Sequence, residues 1–197
     1  MIEGERGTRP APREDDQEPM SKDAPSLSSI PALLARNAQA FGDKTAFREK
    51  EFGLWQRWTW AAAEDELRAL ALGLIVLWLA PGDHVAIVGS IRPVLYWAMV
   101  SAQMCGAVPV PLYQDAVAEE MAYVLDHCGA KIVIAEDQEQ VDKVLEIQDR
   151  IGKLDHIIYH DRRGMRKYDH SRMNALEDVQ ATGRAAHERF DAELQKR

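Results

Sequence analysis

The chain has 197 residues, 46% of them hydrophobic and 28% charged, a composition that suits a globular protein with a real core. Its formal net charge of −8 argues against nucleic acid as a partner, since a nucleic-acid-binding face would be basic. Cys105 and Cys128 have no C-x-x-C partner and no histidine at zinc spacing, so they read as reduced thiols in a cytoplasmic protein.

Residues 1–26 carry Pro10, Pro12, Pro19 and Pro25 among charges, with almost no large apolar side chain. Such a segment cannot offset its ordering entropy, so a disordered tail is expected, and not a signal peptide. A first helix should follow, capped by Ser28 or Ser29, with Pro31 in its first turn and Gly42 at its end. Leu33, Leu34 and Ala38 would face the core. The stretch KTAFREKEFGLWQRWTW predicts two strands joined near Gly53. Thr59 should cap the next helix, expected to run to about Leu79, with Glu64, Asp65 and Glu66 early in it. The apolar run from Ala69 to Ala80 is shorter than the roughly 20 residues needed to span a bilayer, so it predicts a buried helix.

From His84 the pattern is regular. HVAIVG, AVPVPLY, AKIVIAE and LDHIIYH read as short strands separated by helices. One helix should place Val117, Met121, Val124, Leu125 and Cys128 on one face. The next should align Val141, Val144, Leu145 and Gln148, with Glu139–Lys143 and Glu146–Arg150 pairs. This alternation predicts an α/β fold: a doubly wound parallel sheet flanked by helices. After Tyr159 the polar residues predict no further strand, only a loop and a solvated helix over 161–197.

The turn in VGSIRP lacks the glycines of a dinucleotide fingerprint and the Gly-Lys pair of a P-loop, and Pro93 removes an amide donor. An ordinary sheet crossover is the expectation there. Ligands of open α/β sheets bind beyond the carboxyl ends of strands. That rule makes Ser90, Arg92, Tyr113, Gln114 and Asp115 the substrate-proximal candidates, although Asp115 also suits the cap of a helix starting near Ala116. His156 and His160 stand about 13 Å apart if they share a strand, too far for one zinc ion. No metal site is expected. Arg162, Arg163, Arg166, Lys167 and Arg172 form a basic cluster, which reads as a solvated loop or as a contact for anionic headgroups or a phosphorylated ligand.

The segments IPALLARNAQAFGDKTAFRE, WTWAAAEDELRALALGL, GDHVAIVGSIRP, GAVPVPLYQD and AEEMAYVLDH, in this order, resemble the N-terminal region of bacterial long-chain fatty acyl-CoA synthetases of the acyl-adenylate-forming superfamily. The resemblance covers about residues 27–182. It makes 27–160 the α/β N-terminal region of an AMP-binding domain. It implies a ligase that joins a long-chain fatty acid to ATP, with Mg²⁺, and passes the acyl group to CoA. Peripheral contact with the inner membrane face stays open. Where the family reads GSNRPEW, Ile91, Val94 and Leu95 replace its Asn, Glu and Trp. The family's Ser/Thr/Gly-rich phosphate loop, its later adenine- and ribose-binding motifs and its catalytic lysine are absent, so no catalytic residue carries over. The chain is therefore expected to be an N-terminal portion, inactive alone. The alternatives are a non-catalytic binding or regulatory module and a flavin-binding flavodoxin-like domain.

Overall fold

A computed structural model describes residues 29–152 and 154–197. The tail expected over residues 1–26 lies outside them.

Helix α1 (Ile30–Phe41) starts where the Ser29 hydroxyl accepts the Ala32 N–H at 3.3 Å, and Pro31 lies in its first turn. Leu34 and Ala38, one turn apart, are buried. Leu33 is exposed instead, because it sits about 100° around the helix from Leu34. Strands β1 (Thr45–Glu51) and β2 (Leu54–Thr59) form an antiparallel hairpin. Thr59 then caps α2 (Trp60–Val76), its hydroxyl accepting the Ala62 N–H at 3.2 Å.

Every residue of α2 from Ala69 to Ile75 is buried, so this helix must be covered all round. It ends at Val76, earlier than the apolar run suggested. The Leu79 N–H reaches back to the Leu74 carbonyl and the Trp78 N–H to Ile75, with Trp78 at φ 66°. This pair of bonds is a Schellman stop, here with tryptophan where glycine is usual.

The main sheet consists of β3 (His84–Val88), β4 (Val108–Leu112), β5 (Ile132–Ala135), β6 (His156–Tyr159) and β7 (Met173–Ala175). All neighbours are parallel, in the order β4-β3-β5-β6-β7. Side chains alternate between its two faces, and both faces are buried. Val85, Ile87, Ile132, Ile134 and Ile158 join α2, α3 (Pro93–Met104), α6 (Leu176–Ala185) and α7 (His187–Leu194) in one core. Ala86, Val88, Val133, Ala135 and Ile157 join α4 (Ala118–Cys128) and α5 (Gln138–Ile147) in the other. The doubly wound parallel sheet is therefore present.

Several details depart from the periodicities. The sheet gains β7, drawn from a stretch whose polar residues predicted only loop. Met173 and Ala175 are its buried positions, and it pairs with β6 at Ile157↔Met173. Helix α6 begins inside the stretch read as polar loop, and its Leu176, Val179, Gln180 and Gly183 are buried, whereas α7, within the segment read as a solvated helix, buries only Leu194. Val117 precedes α4 and is exposed, while Met121 and Leu125 are buried. Gln148 lies beyond the end of α5 and is exposed, and Ile147 takes the core position. The Glu139–Lys143 pair forms at 2.9 Å, but Arg150 has left the helix and pairs with Glu119 at 2.8 Å.

Helix α6 lies against α2 at backbone contact. A Cβ on Gly183 would overlap the Ala69 carbonyl oxygen, and one on Gly73 would overlap that of Val179. Replacing a helical glycine by alanine ordinarily gains stability. For Gly183→Ala the sign should reverse, with a loss of about 1–3 kcal/mol from overpacking, read as a lower urea midpoint at unchanged slope. Burial pushes the Cys105 thiol up to about 12, and its S–H donates to the Ala71 carbonyl at 3.2 Å. Cys105 should therefore resist a thiolate-directed reagent at neutral pH until the chain unfolds, as peptide mapping would reveal.

Candidate functional site

Helix α3, which follows β3, covers one sheet face, whereas α5, which follows β5, covers the other. The chain thus departs to opposite sides at neighbouring strands, and a crevice opens at their carboxyl ends. In a sheet of this order, ligands bind at that switch point.

Here the crevice is filled by the protein itself. Glu136, the first residue after β5, lays its carboxylate across the turn after β3. It accepts the Ser90 N–H, accepts the Ser90 hydroxyl at 2.7 Å, and faces the Arg92 guanidinium at 3.0 Å. Arg92 also reaches Glu49 of β1 at 2.6 Å, tying the hairpin to the sheet. Gly89 stands under this carboxyl group, where a Cβ would come within 2.7 Å of the Glu136 Cβ. Glycine is thus required for Glu136 to cross the turn. The remaining cavity, bounded also by Val94, Ala98 and His160, holds about 20 Å³. That admits one water molecule and no nucleotide.

The five candidates therefore divide. Ser90 and Arg92 meet in one network. Tyr113, Gln114 and Asp115 follow β4, one strand away, on the solvent side. Tyr113 is 88% exposed, and the Gln114 carbonyl accepts Lys143 Nζ at 2.9 Å. Asp115 does not cap α4, because the helix starts at Ala118 and Glu120 takes the Val117 N–H at 3.3 Å. Glu136 and Glu49 were not among the candidates. Glu136 was nonetheless open to the carboxyl-end rule, since it directly follows the apolar strand of AKIVIAE. Glu49 was not, because only the hairpin's docking brings it near.

A triphosphate does not fit these residues. The Ser90 amide is already bonded, Pro93 has no N–H, and two carboxylates would repel the anion. No group of three or more His, Cys, Asp or Glu side chains is placed to hold a metal ion among the described residues. Two of the five members of the basic cluster, Arg162 and Arg163, are neutralised by carboxylates. Arg162 pairs with Asp178 and Glu177, Arg163 pairs with Asp161, and Arg172 donates to the Leu154 carbonyl at 3.2 Å. The hydrogen bond from Arg163 holds the Asp161 carboxyl below its ordinary range.

Residues 34–193 match a family model described as AMP-binding enzyme. A long-chain-fatty-acid–CoA ligase of Xenopus laevis is 30% identical over 130 residues, which are 66% of this chain and 18% of that ligase. An uncharacterized protein of Mycobacterium tuberculosis is 37% identical over 89 residues, 45% of this chain and 50% of that protein. Among solved structures, the coronafacic acid ligase of Pectobacterium brasiliense aligns with a TM-score of 0.67 at 16% identity, over 77% of this chain and 29% of that one, a likeness of fold. The chain spans about a fifth of the length of the curated ligases it matches.

Two outcomes are expected. Glu136→Ala should cost about 1–2 kcal/mol, measured by urea unfolding, because it strands the Ser90 donors, while the half-exposed Arg92 can turn to water. Burial lowers the pKa of His156, whose Nδ1 has no hydrogen-bond partner. The folded state then binds fewer protons than the unfolded one, so this stability is present above about pH 6.5 and is lost as pH falls toward the lowered value. His156→Gln should flatten that part of the pH–stability curve relative to the parent chain.

Proposed function

Because the chain belongs to the AMP-binding enzyme family, we propose that it is the N-terminal portion of a long-chain fatty-acid–CoA ligase. Such an enzyme joins a fatty acid to ATP, releasing pyrophosphate, and transfers the acyl group from AMP to the thiol of CoA. A carboxylate resists attack until one of its oxygens belongs to a good leaving group, and AMP supplies one. The observation that carries the reading is the match over residues 34–193, together with similarity to ligases that act on long-chain fatty acids.

This chain's contribution is a scaffold. Its β3–β5 crevice does not suit a triphosphate, so no adenylation step runs through it. ATP, Mg²⁺ and CoA would be held by residues that the sequence here does not contain, among them a Ser/Thr/Gly-rich phosphate loop. Ser90, Arg92, Tyr113, Gln114 and Asp115 rim the carboxyl side of the sheet and would lie near substrate in the whole enzyme. Glu136 holds Ser90 and Arg92 in position. The protein would work in the cytoplasm.

A second reading, a non-catalytic module of the same family, is favoured by one observation. The 89 residues aligned with the Mycobacterium tuberculosis protein are half of it, so that relative is about as short as this chain. Coding DNA beyond the Arg197 codon separates the two. A continuation carrying the phosphate loop supports the ligase, and a stop with no such loop nearby supports the module. On either reading the 197-residue chain, given ATP, Mg²⁺ and a long-chain fatty acid, should release no pyrophosphate above background. Fatty-acid-dependent release would refute inactivity of this chain.

A further inference from the structure

The β1–β2 hairpin separates its charges by face. Its register pairs Arg48 with Arg57 and Lys50 with Trp55, so these four side chains share one face. All four are exposed. The opposite face carries Phe47, Glu49, Glu51, Leu54, Gln56 and Trp58. Phe47 and Trp58 meet the Trp97 ring edge-on, at 6.3 and 5.3 Å, and Glu49 takes Arg92. Glu49 is thus turned inward and Glu51 stays exposed at the tip, while the outward face holds three cations around one indole and no acid.

Two features of this hairpin oppose its folding in isolation. Arg48 stands directly across from Arg57, and like charges so placed repel. Lys50 and Arg57 make no ion pair among the described residues, while Arg48 lies over the Trp55 ring at 5.7 Å. Phe52 occupies the first turn position at φ 46°, ahead of Gly53 at φ 82°. That left-handed position favours Asn or Asp, and a bulky aromatic there is strained. Phe52, Leu54 and Trp55 are moreover 80%, 68% and 66% exposed. Arg163 of the loop after β6, itself paired with Asp161, lies 5.5 Å from the Phe52 ring.

We infer that this hairpin is a docking element for an anionic lipid surface. Phe52 and Leu54 would enter the headgroup–acyl boundary, Trp55 would lie at the interface, and Arg48, Lys50 and Arg57 would meet lipid phosphates. Charge complementarity is local, since the chain as a whole carries −8 and would be repelled elsewhere. An exposed apolar tip suits lipid better than nucleic acid, whose backbone offers it nothing apolar. No helix among the described residues is long and apolar enough to cross a membrane, so this contact would be peripheral. The inference rests on the hairpin alone and stands apart from the ligase reading.

The test is co-sedimentation of the 197-residue chain with two kinds of vesicle, phosphatidylcholine alone and phosphatidylcholine with phosphatidylglycerol in equal parts. The chain should pellet with the second and not the first, and raised salt should release it. Removing each cation should weaken partitioning about fivefold, so the double variant Lys50→Glu, Arg57→Glu should lose at least about twentyfold. Phe52→Ser should also weaken it, and because the replaced groups are exposed and relieve repulsion or strain, the variants should melt no lower than the parent. Equal pelleting with both vesicles, none with either, or undiminished pelleting of the charge-reversed chain would overturn the inference. So would salt-sensitive capture of RNA by the same face in place of lipid.

Discussion

Helix α2 cannot be left uncovered on any side, and the arrangement of the remaining elements follows from that. Its last two turns are apolar around the whole circumference. Helices α1, α3, α6 and α7 pack about it, and the Val85, Ile87 and Ile134 side chains of the sheet join the same core. The tightest of these contacts is with α6, where Gly73 and Gly183 bring the two backbones together. That contact holds α6 over the sheet, and β7 is the segment leading into it.

The site has the opposite character. Carboxyl ends at a topological switch would be expected to leave donors open for a ligand. Here Glu136 uses them, and Arg92 links that carboxylate to Glu49 of the hairpin. The glycine-serine turn after β3 is occupied by Glu136, which follows the neighbouring strand β5. An anion is therefore kept out of a place where the fold alone would allow one. The network fixes the hairpin against the sheet, with its acidic face inward and its cationic face outward.

Much of the fold was legible because parallel strands buried on both faces show as short apolar runs, and helices between them show a 3.6-residue stripe. β3 to β6 and α1 to α5 follow from those periods. β7 did not, since three residues carry too little pattern, and Asn174 between Met173 and Ala175 looks like loop in isolation. Most of α6 was read as polar loop because glycine and glutamine help make its contact with α2, residues that hydropathy does not count as core. At the site, Ser90 and Arg92 were visible from their place after β3. Glu49 was not, because nothing local to a hairpin says which strand end it will meet.

By itself the sequence determined the doubly wound class, the cap at Thr59, a first cap at Ser28 or Ser29, and the family resemblance, all properties of local pattern and residue order. Only the tertiary structure decided that the crevice is closed by Glu136, that the sheet has a fifth strand, and that the hairpin's cations share an exposed face. Those depend on which distant segments come into contact. Residues 46 positions apart, such as Ser90 and Glu136, share no local signal of their pairing. Their hydrogen bonds exist only once two strands lie side by side.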